Sequence, residues 1–489
     1  MSSNASFTLR ALLSIGLLVG FYVIALGTAF ALILIAYVDV TTGTLVHLKV
    51  VLFAGFGALV ILYSIFPRID RFLPPGPRVS ANQEGELFAM IREVAKAAEQ
   101  KPPAEVYVVP DVNAWVAQRG GWIGIGSRRV MGLGLPLLGL LSRNEFKAVL
   151  AHEFGHYHHG DTMLGPVIHK ARSTIFRTVS NLAEQESILH HPFLWYGKMF
   201  MRITQSISRQ QEFVADALAA RLYGRRSLSS ALKKIHSEAQ AFIPYYQGDV
   251  APVLNSGFRP PIAEGFQAFV RSEAVKKQTA RILEEELQES RSDPYDSHPT
   301  LKDRLDRIRE EGSEDGEIES GDAIEAVESV DEIERRILAW SSGEEAVKTL
   351  RTIGWREVPE KIYLPAWKSM VAQHADPLNG IMSGEVAGHV LDPDKARSRF
   401  EGYFPGHITP ELHMSHVFSA SVALAMIRSG WKIVSGPGLA IELRKGDLSA
   451  DPFQELAKVR EGHLTVDEWK RFCEESGVAD VDLGEIART

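Results

Sequence analysis

The sequence predicts a mainly α-helical protein with a small β-sheet, preceded by an N-terminal two-helix transmembrane hairpin and followed by a C-terminal α+β accessory domain. Three observations lead to this reading. Two long uncharged apolar runs open the chain, and helical three- and four-residue spacing marks its middle. Beyond residue 356, turns marked by proline and glycine alternate with short strand-like segments. The expected organisation is a membrane hairpin over 1–72, a main domain over 73–310, an acidic linker over 311–322 and an accessory domain over 323–489.

The hairpin comes first. Ala11 to Val38 contains no charged side chain across 28 positions. At about 1.5 Å rise per residue, that run is long enough to cross a hydrocarbon core. Val50 to Phe66 is a second uncharged run of 17, extended back to about residue 46 by letting His47 and Lys49 snorkel. The expected spans are about 11–38 and 46–66, joined by a short loop near Asp39 to Gly43. The first run continues past the small residues at 28–31, so it reads as a retained span and not a cleaved signal. Arg68, Arg71 and Arg78 follow the second span, Arg10 precedes the first, and the intervening loop offers only Lys49. The positive-inside rule then puts both ends and the main domain in the cytoplasm. A single cysteine, Cys473, agrees with a reducing compartment.

The main domain carries the chemistry. Residues 152–156 read His152-Glu153-Phe154-Gly155-His156. On a helix, positions i and i+4 share a face, so two imidazoles meet one metal ion while Glu153 stands beside them as a general base. The flanking sequence supports a helix: Phe146, Val149, Leu150 and Phe154 recur at helical spacing. Ser142 followed by Glu145 makes a capping box at its start, and Gly160 offers a stop. His158 and His159 lie off the metal-facing side and are not read as ligands.

A catalytic metal of this type takes three protein ligands and keeps one open position. Residues 206–224 form a second helical segment in which Glu212 and Asp216 stand among apolar positions. Glu212 is the natural third ligand. Asp216, one turn on, is placed to orient a ligating histidine, and Arg209, one turn earlier, to orient or neutralise the carboxylates.

Taken together, HEFGHYHHGD followed by SRQQEFVADALAA resembles the integral-membrane gluzincins, the HtpX heat-shock proteases and CAAX prenyl endoproteases. VYVVPDVNAWVAQRGGWIGIG at 106–126 is similar to that family's strand pair, with Asn113, Ala114 and Trp115 beginning the edge that meets an extended substrate. SHPTLKDRLDRI at 297–308 is similar to its His-Pro segment, and Asp161 stands five residues after His156 as in the family. The resemblance covers about residues 75–310. It implies a zincin-like catalytic domain with one Zn2+ held by His152, His156 and Glu212, and with Glu153 as the base acting on water. It further suggests His298 for stabilising the oxyanion and Arg304 for a structural place near the site. The chain departs from the HtpX branch between its two metal helices. There, Lys170, Arg172, Arg177, Lys198 and Arg202 interrupt the apolar residues of 162–205. That stretch reads as an amphipathic lid, as a helix in the headgroup region or as a helix pair packed on the catalytic core.

Residues 263–289 read as one long amphipathic helix, and 310–322 as a solvated acidic linker. Helical periodicity returns through Trp340 and near 344–352, and strands are expected in WKIVSG and LAIELRKG. A final helix is expected in TVDEWKRFCEESG. His374, His389, His407, His413 and His416 are scattered without ligand spacing.

Composition narrows the function further. A net charge of −8 with no basic stripe argues against nucleic acid. Gly132 and Gly134 lack the following Lys-Ser/Thr of a phosphate loop, so no nucleotide is expected. The expected partners are the lipid bilayer and unfolded or membrane-protein substrates, in membrane-protein quality control at a bacterial inner membrane. The competing reading is a regulatory or scaffold membrane protein whose C-terminal region carries the main role.

Overall fold

The computed structural model describes the chain except residues 1–2, 43–45, 67–71, 121–125, 158–163, 186, 289–295, 297, 312, 314–318, 393, 395–397 and 404–408. It also leaves aside the side chains of 3–11, 164–170 and 311. Arg10, Arg68, Arg71, His158, His159, Gly160, Asp161, Lys170 and His407 therefore lie outside the described side chains.

The two apolar runs form helices α1 (Ser3–Thr42) and α2 (Leu48–Ile65), both long and apolar enough to cross a membrane. Their loop is tied by His47, whose Nδ1 lies 2.8 Å from the Asp39 carboxylate. The segment after the motif forms α6 (Leu164–Ala183) and α7 (His190–Tyr223). Both helices pack on the hairpin, and α7 packs on the motif-bearing helix Arg143–Gly155 as well. Phe21, Ala25, Ala29 and Leu32 of α1 share one apolar core with Ala54, Ala58 and Ile61 of α2, Ile175 of α6, and Phe193 and Phe200 of α7.

Two of the basic residues that interrupt the apolar pattern, Arg172 and Arg177, face protein partners. Arg177 donates to the backbone carbonyls of Ser64 (2.8 Å) and Phe66 (3.3 Å), where α2 ends and its last carbonyls lack helix partners. Asn181 donates to Ser64 Oγ at 2.8 Å, and Arg172 reaches Thr204 and Ser208 of α7. Apolar Phe176 and Trp195 remain exposed. This is the inverted distribution of a helix group that meets apolar surroundings and holds its polar groups between helices.

The catalytic region begins with a four-stranded sheet. Strands β1 (Arg78–Val79), β2 (Glu105–Val109), β3 (Ala114–Arg119) and β4 (Arg128–Gly134) run in the order β1-β2-β4-β3. β4 pairs parallel with β2 and antiparallel with β3, so β3 is the free edge. The glycines of MGLGLP serve this packing. A Cβ on Gly132 would stand 2.3 Å from the Trp115 ring, and one on Gly134 would stand 1.8 Å from the Asp111 carbonyl. α3 (Gly85–Ala97) packs with α5 (Arg143–Gly155), and α4 (Leu135–Leu140) connects the sheet to α5. The capping box at Ser142 and Glu145 is formed. Phe146, Leu150 and Phe154 are fully buried, as the helical spacing requires.

The chain divides into two compact units along lines different from the boundaries expected from sequence. One comprises Met1–Gln240 with Thr279–Glu344, the other Ala241–Gln278 with Glu345–Thr489. In the first unit the described end of the acidic stretch, at Glu319 and Gly321, is docked. Glu319 lies 2.6 Å from the amine of buried Lys147, which Glu93 also contacts, and Gly321 accepts from the Arg143 amide. A buried ammonium needs such carboxylates, so the charge of the segment is used locally. The expected long helix over 263–289 is two helices, Ile262–Val270 and Glu273–Gln288. The break falls at Arg271 and Ser272, where the Ser272 amide makes a tightened bond to the Phe269 carbonyl.

The second unit is built around Trp367, Phe400, Phe418, Trp431 and Trp469. It carries a three-stranded sheet of Lys432–Val434, Glu442–Lys445 and Leu448–Ala450, as the strand-like segments predict. The closing helix Val466–Glu475 has its capping box at Thr465 and Glu468. Two of the histidines read as scattered meet here. Nε2 of His374 lies 3.0 Å from Nε2 of His413, and His374 Nδ1 donates to the Met370 carbonyl at 2.7 Å.

Candidate active site

Helix α5 places His152 and His156 on one face, with ring centroids 4.8 Å apart. Among the described residues, His152, Glu153 and His156 have ligating atoms within 4.8 Å of one another. α7 crosses α5 at Gly155, where a Cβ would fall 2.8 Å from Ala215 Cα. This close crossing carries Glu212 to the histidines. Its Oε2 is 3.5 Å from His152 Nε2 and its Oε1 is 3.6 Å from His156 Nε2.

Around these groups sits a buried frame of charges. Asp216 Oδ1 lies 2.9 Å from His152 Nδ1, so it faces the ring nitrogen turned away from Glu212. Arg304, on the helix Leu301–Glu311, grips Asp216 at two points and comes within 3.6 Å of Glu212. Arg304 thus stands near the site, as the resemblance implied. Arg209 instead donates to the backbone carbonyl of Asp296 at 2.7 Å. The Asp296 carboxylate in turn accepts from the His298 amide, so Arg209 steadies the segment that carries His298. His298 Nδ1 lies 3.2 Å from Glu212 Oε1, and its ring is mostly exposed.

The donor set fits a divalent metal. Glu212 Oε2 is buried and makes no hydrogen bond, although two imidazole nitrogens face its carboxylate. A buried carboxylate oxygen rarely goes without a partner, and a cation is one that suits it. Two imidazoles and one carboxylate form an N/O set suited to zinc.

Electrostatics shift the titration of these groups. Burial pushes Glu153 up to about 7, within reach of a general base at neutral pH. Burial, helped by the charge on His152, pulls His156 down to about 4, leaving a free lone pair. Burial also opposes charge on His152, but Asp216 and Glu212 outweigh it and raise the group to about 10. Glu212 is held low, its burial outweighed by His152, His298 and Arg304.

The edge strand lies against this site. Gly134 donates to the Asn113 carbonyl at 2.8 Å, which makes Asn113 and Gly134 a hydrogen-bonded pair. Antiparallel pairs alternate, so Trp115, opposite Gly132, also turns its backbone toward β4. Of Asn113, Ala114 and Trp115, Ala114 is the one whose amide and carbonyl face outward. Sequence reasoning passed over Tyr157, whose hydroxyl donates to the Val116 carbonyl at 2.8 Å. No spacing rule marks that contact, because its partner lies 41 residues away.

Comparison with known proteins agrees with this geometry. Residues 81–312 match the model of Peptidase family M48. Protease HtpX of Klebsiella pneumoniae is 28% identical over 225 residues, covering 38% of this chain and 74% of that protein. A protease HtpX homolog of Campylobacter hominis is 32% identical over 179 residues, 33% of this chain and 61% of that protein. One of Thermoplasma volcanium is 29% identical over 199 residues, 37% of this chain and 63% of that protein. No solved structure matches the chain. Over residues 81–312 the chain is thus similar to peptidase family M48 and to the HtpX proteases. It is a membrane-associated protease, with two apolar helices ahead of the peptidase region.

Proposed function

We propose that the chain is a zinc-dependent endopeptidase that cleaves unfolded or membrane-protein segments at the cytoplasmic face of a bacterial inner membrane, in quality control or processing. The observation that carries the reading is the convergence of His152, His156 and Glu212, whose buried Oε2 makes no hydrogen bond, with Glu153 beside them. His152, His156 and Glu212 would hold the metal. When bound, zinc supplies Lewis-acid polarisation of the scissile carbonyl and acidifies a water.

The rest falls to the chain's own groups. Glu153, with its carboxyl raised by burial, takes the proton of the attacking water and delivers it to the leaving amine. Asp216 orients His152 and Arg304 balances the carboxylates. His298, with Nδ1 turned to Glu212, presents its other nitrogen to the developing oxyanion. Ala114 offers an outward amide and carbonyl to an extended peptide, since main-chain pairing at a strand edge needs no particular side chains. The hairpin, with α6 and the first half of α7 packed on it, forms the membrane anchor. α7 then runs from Phe193 in that anchor to Glu212 at the site as one continuous helix.

The test is cleavage of casein by detergent-purified wild type and Glu153→Gln, with zinc measured on both. About one zinc per chain in both, with cleavage by wild type alone, supports the reading. Absence of metal from both overturns the ligand set. Zinc in both without cleavage favours the regulatory alternative, which deletion of 345–489 then examines.

A further inference from the structure

The outward edge of β3 is partly closed from within. With Asn113 paired to Gly134, the backbone groups of Ala114, Val116 and Gln118 are the ones that point away from β4. The Val116 carbonyl accepts from the Tyr157 hydroxyl at 2.8 Å. The Val116 amide donates to the Glu153 carboxylate, and the Gln118 amide donates to the Tyr157 oxygen. The Tyr157 ring is itself held, with the Arg129 guanidinium 4.4 Å from its centroid and Arg129 tied to the Lys101 carbonyl at 2.8 Å. A half-buried phenol that both accepts from and donates to one strand edge occupies the positions a peptide would use there.

We propose that Tyr157 is a positioning residue that closes the β3 edge beyond Ala114 and so fixes the register of an extended peptide against Glu153. The proposal rests on the endopeptidase reading above. Side chains alternate along a strand, so a peptide slipped by one residue reverses its faces, whereas one slipped by two keeps them. The register to be excluded is therefore the one displaced by two residues, which would pair at Val116 and Gln118. Tyr157 blocks that register by holding the Val116 carbonyl and the Gln118 amide. Glu153, through the Val116 amide, is kept at a constant distance from the one open position.

The experiment maps cleaved bonds by mass spectrometry for full-length wild type, Tyr157→Phe and Glu153→Gln acting on β-casein in detergent, with zinc content measured on each. Tyr157→Phe keeps the ring and loses only the hydroxyl. It is expected to retain zinc and to cut new bonds displaced by two residues from the wild-type ones, with kcat at the original bonds reduced roughly 10-fold. Arg129→Gln, which frees the ring without removing the hydroxyl, is the second variant should Tyr157→Phe fail to fold, and is expected to give the same displaced bonds in smaller share. If wild type cleaves and a folded, zinc-loaded variant yields an unchanged cleavage map, the positioning role is overturned and the endopeptidase reading survives. If wild type itself does not cleave, the endopeptidase reading falls and this proposal falls with it.

Discussion

Arg304 and Asp216 form a buried two-point ion pair, with Nε 2.8 Å from Oδ2 and Nη2 2.7 Å from Oδ1. The pair joins the helix Leu301–Glu311 to α7 directly behind the candidate metal site. Charge burial alone would be unfavourable, so the pair holds only while both partners are present.

Arg304→Ala leaves the buried carboxylates Asp216 and Glu212 without its guanidinium. The expected loss is about 3–5 kcal/mol of stability, together with about 10- to 100-fold weaker zinc binding. Denaturant unfolding and competition with a chelator measure the two effects. Wild-type stability in the variant would remove Arg304 from the frame.

Gly155→Ala puts a methyl against the backbone of α7, 2.8 Å from Ala215 Cα, where no flexible side-chain end can yield. Overpacking of this kind costs about 1–3 kcal/mol, and here it also separates His156 from Glu212. Thermal melting should show the loss, and zinc retention should fall with it. An unchanged melting temperature would mean that the two helices are free to part.

His298→Ala tests a group that touches Glu212 but is mostly exposed. Loss of an oxyanion donor lowers kcat by roughly 10²-fold with little change in KM. Zinc content is expected to stay near one per chain. A change confined to KM would assign His298 to substrate binding instead.

Asp249 gives the second unit a pH dependence. Burial raises its carboxyl to about 6, although the Gly438 amide donates to it. The folded state therefore binds this proton more tightly than the unfolded chain, whose carboxyl titrates near 3.8. Its contribution is fully present below that lower value and is lost as pH rises through about 6. Asp249→Asn removes the ionisable group. Its melting temperature should exceed that of wild type at pH 7 and fall less between pH 4 and 6. Parallel curves for the two proteins would contradict the assignment.

The legible parts of this protein are those written in local spacing. His152, Glu153 and His156 declare themselves because a helix repeats every 3.6 residues, and Ser142 with Glu145 marks where that helix starts. The apolar hairpin is legible for a similar reason, since span length and lack of charge are properties of a continuous stretch. Glu212 and Asp216 were readable as polar residues on an otherwise apolar helical face.

Tertiary structure decided what depends on distant partners. Arg172 and Arg177 looked like interruptions of an apolar helix, and packing turned them into partners of α7 and of the end of α2. The acidic run near 319 looked like a solvated linker until buried Lys147 gave it a partner 172 residues away. The pairing of Arg304 with Asp216, the meeting of His374 with His413, and the contact of Tyr157 with the β3 edge are of the same kind. The sequence by itself determined the apolar hairpin, the motif helix and the faces that carry the candidate metal ligands, because those follow from short-range geometry. Only the folded chain decided which charges are neutralised and which backbone groups stay open, because a buried polar group takes whatever partner packing brings to it.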